Sequence, residues 1–191
     1  KKRLATELHD SPMQKLALAQ AQIASAARRW DQEAAERLDT GLELMREALT
    51  DAERGIVEDL AEIGGVGHRV VHGGEQYSAS TIIDDGVVAA IEKNIELAPL
   101  HNPPNIPGIE AAREVMPGVP HCAIMDTAWH QTMPPAAFLY ALPYRWYENY
   151  RVRRYGCHGL SYEYIADVLP QHLGERAEGK VVVAHLGNGS S

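Results

Sequence analysis

Five short stretches of this chain combine imidazole, charge and glycine in ways that a plain core does not require. They are Gly67-His68-Arg69-Val70-Val71-His72-Gly73-Gly74, Ala98-Pro99-Leu100-His101-Asn102-Pro103, Met125-Asp126-Thr127-Ala128-Trp129-His130-Gln131-Thr132-Met133-Pro134, Tyr155-Gly156-Cys157-His158-Gly159 and Ala184-His185-Leu186-Gly187-Asn188-Gly189. A guanidinium fork such as that of Arg69 matches carboxylate and phosphoryl oxygens alike. Imidazoles donate hydrogen bonds to the same oxygens, and glycines let backbone N–H groups come close to a phosphate. A sixth stretch, Glu7-Leu8-His9-Asp10-Ser11-Pro12-Met13-Gln14, suits different chemistry. A surface histidine on a helix can accept a phosphoryl group on a ring nitrogen while the next carboxylate orients the ring. Gln14, one helical turn after Asp10, reaches the same patch.

The elements that position these residues differ along the chain. Residues 1–48 hold eight Lys/Arg and eight Asp/Glu, one glycine and one proline, whereas residues 49–191 hold all of the net charge of -8 and the other fifteen glycines. The first part reads as an antiparallel helical hairpin: a helix over 1–29 that Pro12 kinks, then a second over 31–49 with Asp31 as N-cap and Leu38, Leu42, Met45 and Leu49 on one face. After residue 50 the period changes repeatedly. Strands are predicted at Gly67–His72, Ser80–Ile83 and His121–Met125, and a buried strand at Lys180–Leu186. Helices are predicted at Ile56–Ile63, Val87–Leu97, Ile106–Val115, Tyr144–Tyr150 and Tyr162–Leu169. Strands alternating with helices make this part α/β, and all five stretches fall at strand ends or tight turns, where α/β sheets bind ligands.

Composition narrows the function. An acidic balance argues against a nucleic-acid binder, whose partner-facing surface is basic. No apolar run approaches the roughly 20 residues of a membrane span. The Lys1-Lys2-Arg3 start leads into an amphipathic stretch with no apolar core, so it does not read as a signal peptide, and a cytoplasmic protein is expected. Cys122 and Cys157 are too few for a disulfide scaffold, although one bridge between them is possible.

Residues 49–191 closely resemble the acetokinase family, within the sugar kinase, Hsp70 and actin superfamily; the Asp126-Thr127-Ala128-Trp129-His130 stretch is the most specific of the five motifs, which occur in order. The resemblance implies a ribonuclease H-like α/β domain, here partial, that transfers a phosphoryl group between ATP and acetate or another short-chain carboxylate with Mg2+. It implies that Arg69, Asp126 and His158 are catalytic. Arg69 would touch the carboxylate and the moving phosphoryl group, His158 would donate to an equatorial oxygen, and Asp126 would orient or hold magnesium, since acetate needs no general base. Val71, Leu100 and Cys157 would line the methyl pocket. His101 and His185 would line the phosphate path, with Gly187, Asn188 and Gly189 facing the nucleotide phosphates. A homodimer is also implied.

The family's opening strand and N-x-G-S-S-S phosphate loop do not precede residue 49, and its adenosine pocket and second arginine lie in a half that these 191 residues do not contain. The expectation is an incomplete kinase, inactive alone, with an unpaired sheet edge beside Gly67–His72. Residues 1–48 resemble the dimerisation and phosphoacceptor helices of sensor histidine kinases. That makes His9 the phosphoacceptor, Asp10 its acid/base partner, Gln14 a dephosphorylating amide, and a response regulator a partner. The alternative function is therefore a two-component signalling module, or a chimeric fragment with no joint role.

Blander roles are expected for the remaining groups. His68 and His72 share a strand face without a third ligand, so they read as hydrogen-bonded histidines and no protein metal site is expected. His121 and His172 read as surface residues and His130 as a turn stabiliser. Arg151, Arg153 and Arg154 read as a solvated face or salt bridges, and Trp146, Tyr147 and Tyr150 as packing. Cys157 reads as a pocket liner rather than a nucleophile.

Overall fold

The computed structural model describes Ala19, residues 32–51 and residues 55–191. Their order is α1 (Gln32–Thr50), β1 (Val66–Val70), β2 (Thr81–Ile82), α2 (Asp85–Lys93), α3 (Asn102–Val115), β3 (His121–Met125), α4 (Pro135–Phe138), α5 (Arg145–Tyr150) and α6 (Gly159–Leu173). Short 3-10 turns lie at Leu60–Glu62, Trp129–Thr132 and Gly174–Glu178.

Three strands form a mixed sheet in the order β1-β3-β2. β3 is central, and its five residues alternate between buried and half-buried, as the two faces of a covered strand require. It pairs in parallel with β1, Val66 opposite His121 and Val70 opposite Met125, and antiparallel with β2. The Asp126 N–H donates to Val70 O at 2.8 Å, which extends the ladder one residue past β3. Arg69 and Asp126 therefore leave the sheet at the carboxyl ends of two parallel neighbours.

The two helices of the crossover from β2 to β3 cover one face of the sheet. Asp84 caps α2 through Val87 N–H (2.8 Å). Val87 and Ile91 of α2 and Ile109 of α3 meet Val70, Ala123 and Met125 of the sheet. α3 accepts Pro103 and Pro104 in its first turn, where N–H groups have no intrahelical partner. Its other face, Ala111, Ala112 and Val115, packs with Met116 against Leu42 and Met45 of α1, and Ala19 joins that cluster. The front and rear parts of the chain are thus in contact, and the apolar stripe of α1 finds its partner in α3.

Several expected elements differ. Ile56–Ile63 forms only the turn Leu60–Glu62, held by a reciprocal pair in which Asp59 and Glu62 side chains accept from Ala61 and Asp59 N–H. Ile56 is 75% exposed, so no burial extends the turn into a helix. Lys180–Leu186 is not a buried strand. Val182 is 96% exposed, and the pairing found there is a bridge from Leu186 to Ser190 that closes the glycine turn. A Val-rich run has strand propensity, but a strand exists only where a neighbour offers hydrogen bonds. Among the described residues, β1 pairs with β3 alone.

Candidate functional site

Asp126 organises the site. It is the first residue past β3, its side chain only 3% exposed, and both of its named side-chain bonds fall on Oδ2. The Arg69 Nη2 donates to Oδ2 at 2.7 Å, and the His158 N–H donates to the same oxygen at 3.0 Å. The Asp126 carbonyl accepts from Gly159 N–H at 2.8 Å. One residue therefore clamps two consecutive amides at the start of α6, whose positive dipole end faces the carboxylate. The clamp explains the backbone of His158, which is left-handed (φ 56°, ψ 26°), a conformation uncommon for a side-chain-bearing residue. It also explains Gly159, where a Cβ would sit 2.3 Å from the Asp126 carbonyl oxygen.

The guanidinium of Arg69 is pinned at one end and open at the other, since its side chain is 57% exposed. The His158 ring lies in parallel on the His185 ring (centroids 4.1 Å, planes 18° apart), and its Nδ1 is 2.9 Å from Ser191 Oγ. A two-way backbone bond between His185 and Ser191 closes the turn that carries Gly187, Asn188 and Gly189. A Cβ on Gly189 would lie 3.0 Å from His158 Nε2, so that nitrogen faces the glycine turn. Arg69, Asp126, His158, His185 and the glycine turn thus converge. Burial raises the pKa of the Cys157 thiol, with Asp126 adding to the rise and Arg69 opposing it, which places Cys157 within their field and keeps it a protonated thiol.

Of the other expected site residues, Val71 lies just after β1, and Leu100 and His101 lie just ahead of α3. Val71 is buried behind the β1 end and its N–H donates to Asn105 Oδ1 at 3.3 Å. Leu100 is 81% exposed, because the turn whose Ala98 carbonyl accepts from His101 and Asn102 N–H carries it outward. His101 is exposed just ahead of α3. His9, Asp10 and Gln14 lie outside the described residues.

Around the site, the structure revises several readings. His121 is buried rather than on the surface. Its Nε2 donates to the Met116 carbonyl at 3.2 Å, which leaves Nδ1 to accept from His68 Nε2 at 2.9 Å. Burial, with His121 adding, lowers the pKa of His68 to about 4. His72 is likewise lowered to about 4, by burial and then by Arg153, and its Nδ1 accepts from Gly74 N–H. His68 and His72 are thus hydrogen-bonded histidines, as expected. Of the two roles expected for the arginine run, Arg153 takes the salt bridge. It is buried, 2.6 Å from Glu75 and with its guanidinium 3.8 Å over the Phe138 ring, while Arg151 pairs with Glu75 at 3.7 Å. Trp146 and Tyr150 pack ring against ring at 6.0 Å while staying 47% and 70% exposed, and Tyr147, half-buried, packs on Phe138 with its hydroxyl on Glu75. Both cysteines are free.

Four contributors escaped the sequence reading. Asn102 holds the chain beyond β1, accepting from His72 N–H and donating to His72 O and Ile91 O. Asn105 does the same for Val71 and Arg69, and its position three residues after Asn102, around two prolines at a helix start, was the available signal. Glu75 and Tyr162 had none, because their partners are 78 and 29 residues away.

Arg69 and Asp126 at the carboxyl ends of two parallel strands, with the stacked imidazoles of His158 and His185 and a glycine turn beside them, gather the cation and hydrogen-bond donors that suit an anion. The comparisons agree. The model of the acetokinase family matches residues 2–191, including the front part that composition sets apart. The chain belongs to the acetokinase family. It is 57% identical over 151 residues to an acetate kinase of Desulfitobacterium hafniense (78% of this chain, 38% of that protein). It is 55% identical over 151 residues to an acetate kinase of Methanosarcina thermophila (78% and 37%). The crystal structure of Porphyromonas gingivalis acetate kinase superposes with a TM-score of 0.71 at 41% identity, over 78% of this chain and 38% of that one. A propionate kinase from Francisella tularensis gives 0.65 at 42% identity, over 70% and 34%. The chain spans a little over a third of the length of these relatives.

Proposed function

We propose that these residues form the carboxylate and phosphoryl side of an acetate kinase site, which joins ATP and acetate to acetyl phosphate and ADP. The observation that carries this is the convergence of Arg69 and His158 on one Asp126 oxygen. A transferring phosphoryl group passes through a loose state with charge on its equatorial oxygens, so fixed cations and donors matter most. Arg69 is such a cation: Asp126 fixes its orientation and leaves its outer face free. His158 and His185 stand on the other side as donors, and the amides of Gly187, Asn188 and Gly189 are open to phosphate.

Acetate is already ionised at neutral pH, so no residue has to take its proton. Asp126 serves instead to orient, and its Oδ1, outside both bonds to Oδ2, suits one inner oxygen donor to magnesium. A magnesium carried on nucleotide phosphates needs only one or two carboxylates. That agrees with the lack, among the described residues, of any three His, Cys, Asp or Glu side chains grouped for a metal. The ion would neutralise charge on the phosphates.

Turnover by the 191 residues alone is expected to stay near background in a hydroxamate assay with ATP and acetate, because one guanidinium is a small share of the charge such a transfer needs. Binding is the sharper test. Acetyl phosphate titrated into the 15N-labelled chain should shift His158 and His185, and Arg69→Ala should weaken that binding about 10- to 100-fold, as loss of a charge-assisted pair does. Equal binding by the wild type and Arg69→Ala would end this reading.

A further inference from the structure

The first turn of α6 carries a side chain that the phosphoryl-transfer reading does not use. Tyr162 stands one turn after His158, half-buried, with its ring stacked on Trp129 (6.2 Å, 29°) and edge-on to His130 (5.7 Å, 90°). Its hydroxyl is 2.6 Å from Ser191 Oγ, and that same oxygen is 2.9 Å from His158 Nδ1. The three groups form one hydrogen-bonded chain.

The direction of the chain follows from acid strength. A phenol is a far better donor than an alcohol, and a neutral imidazole nitrogen is a far better acceptor than a hydroxyl oxygen. Tyr162 O–H therefore donates to Ser191 Oγ, and Ser191 O–H donates to His158 Nδ1. The reverse direction would set an alcohol donor against a phenol acceptor and leave the phenol proton to find another partner. Each bond polarises the next in the same sense. With Nδ1 committed as acceptor, the ring proton rests on Nε2, the nitrogen that faces Gly189. Stacking by His185 restrains the plane of the ring but does not distinguish its two nitrogens.

We propose that Tyr162 is a positioning residue: acting through Ser191, it holds His158 in the tautomer that presents Nε2–H to the glycine turn 187–189. The use of that proton as a donor to a phosphoryl oxygen rests on the function proposed above; the tautomer itself does not.

The test reads the ring protons directly. The 191-residue chain labelled with 15N-histidine is studied by long-range 1H–15N NMR without ligand, at about pH 8, where ordinary imidazoles are neutral. The wild type should carry the His158 proton on Nε2. Ser191→Ala should raise the Nδ1–H to Nε2–H ratio about five-fold, the population equivalent of one net hydrogen bond. Tyr162→Phe, which keeps the ring stacked, should raise it about two- to three-fold, and Ser191→Thr should restore it. The tautomers of His68 and His72, fixed by bonds elsewhere, should not move, which separates positioning from general loosening. A wild-type proton on Nδ1, or a ratio unchanged in Ser191→Ala, overturns the proposal. So does an unchanged ratio in a folded Tyr162→Phe; should that variant not fold, Ser191→Ala, in an exposed turn, still decides. Acetyl phosphate added afterwards to the same samples tests the kinase reading separately: a wild type that shows the tautomer shifts but binds no acetyl phosphate refutes the function and supports the relay.

Discussion

The two sides of the site are built by different means. Arg69 and Asp126 project from strands whose register is fixed by the β1–β3 ladder, and their bond is anchored on a side chain only 3% exposed. The ring of His158, His185 and the turn from Gly187 to Ser191 are held by stacking, by the backbone pair between His185 and Ser191 and by side-chain bonds between half-buried or exposed groups. One side is over-determined by the fold, and the other depends on a few hydroxyls and imidazoles. The difference teaches where fold stability and site geometry can be altered separately.

The largest contrast should come from glycines. Gly159→Ala drives a Cβ into the Asp126 carbonyl, and Gly156→Ala adds a contact at 2.3 Å with the His130 ring to a φ of +82°. Either should cost more than about 3 kcal/mol in urea denaturation, since Gly159→Ala meets backbone that cannot give way and at Gly156 clash and left-handed backbone coincide. Gly189→Ala meets only the end of the His158 side chain at 3.0 Å, and should cost less than about 1 kcal/mol. Equal losses at the three positions would erase the distinction between the two sides.

Carboxylate and hydroxyl should differ next. Asp126→Ala removes the anchor of Arg69 and of the His158 amide together, and should destabilise the chain by about 2–3 kcal/mol. Ser191→Ala should cost less than about 0.5 kcal/mol, as exposed substitutions do, while still moving the His158 tautomer. Denaturation midpoints of both variants at one urea slope decide this.

Acid sensitivity should belong to the sheet. His68 and His72 have folded pKa values near 4 against 6.5 unfolded. Between those values the unfolded chain binds more protons, so their contribution is complete above pH 6.5 and is lost as pH falls towards 4. Both groups are partly solvated, so the expected loss is about 2 kcal/mol in total rather than the full linkage value. Stability measured from pH 7 to 4 should fall by that amount, and a His68→Gln, His72→Gln double variant should flatten the curve over the same window.

Much of this contrast was legible in the residues. The short apolar run of His121–Met125 read as a buried strand, and the apolar spacing of Leu42 and Met45 required a helix with a partner. The five chemical stretches read as strand ends or tight turns, where α/β sheets bind ligands, and the family resemblance put Arg69, Asp126 and His158 in one site. What periodicity could not supply was long-range pairing. Val181 and Val182 have the composition of a strand but no strand neighbour among the described residues, and the salt bridge expected of Arg153 gave no sign that its partner would be Glu75 or that the pair would be buried. His121 looked like a surface residue because its two partners, His68 and the Met116 carbonyl, are brought to it only by the sheet.

Cys157 lies where the two sides meet, and its reactivity reports on both. Its thiol sits between Gly156 and the strained His158, and three influences act on its ionisation: burial raises the pKa most, Asp126 raises it further, and Arg69 lowers it. Only the thiolate is alkylated, so a raised pKa slows the reaction at fixed pH. At about pH 8, below the ordinary thiol value, iodoacetamide should modify Cys157 more slowly than a small-molecule thiol. Asp126→Asn removes the carboxylate but keeps Arg69 and should speed modification; Arg69→Gln does the reverse and should slow it. If the opposing variants leave the Cys157 rate unchanged while mass spectrometry confirms the modified residue, the carboxylate and the guanidinium do not govern the space in front of His158, and the strand-end side of the site ends short of it.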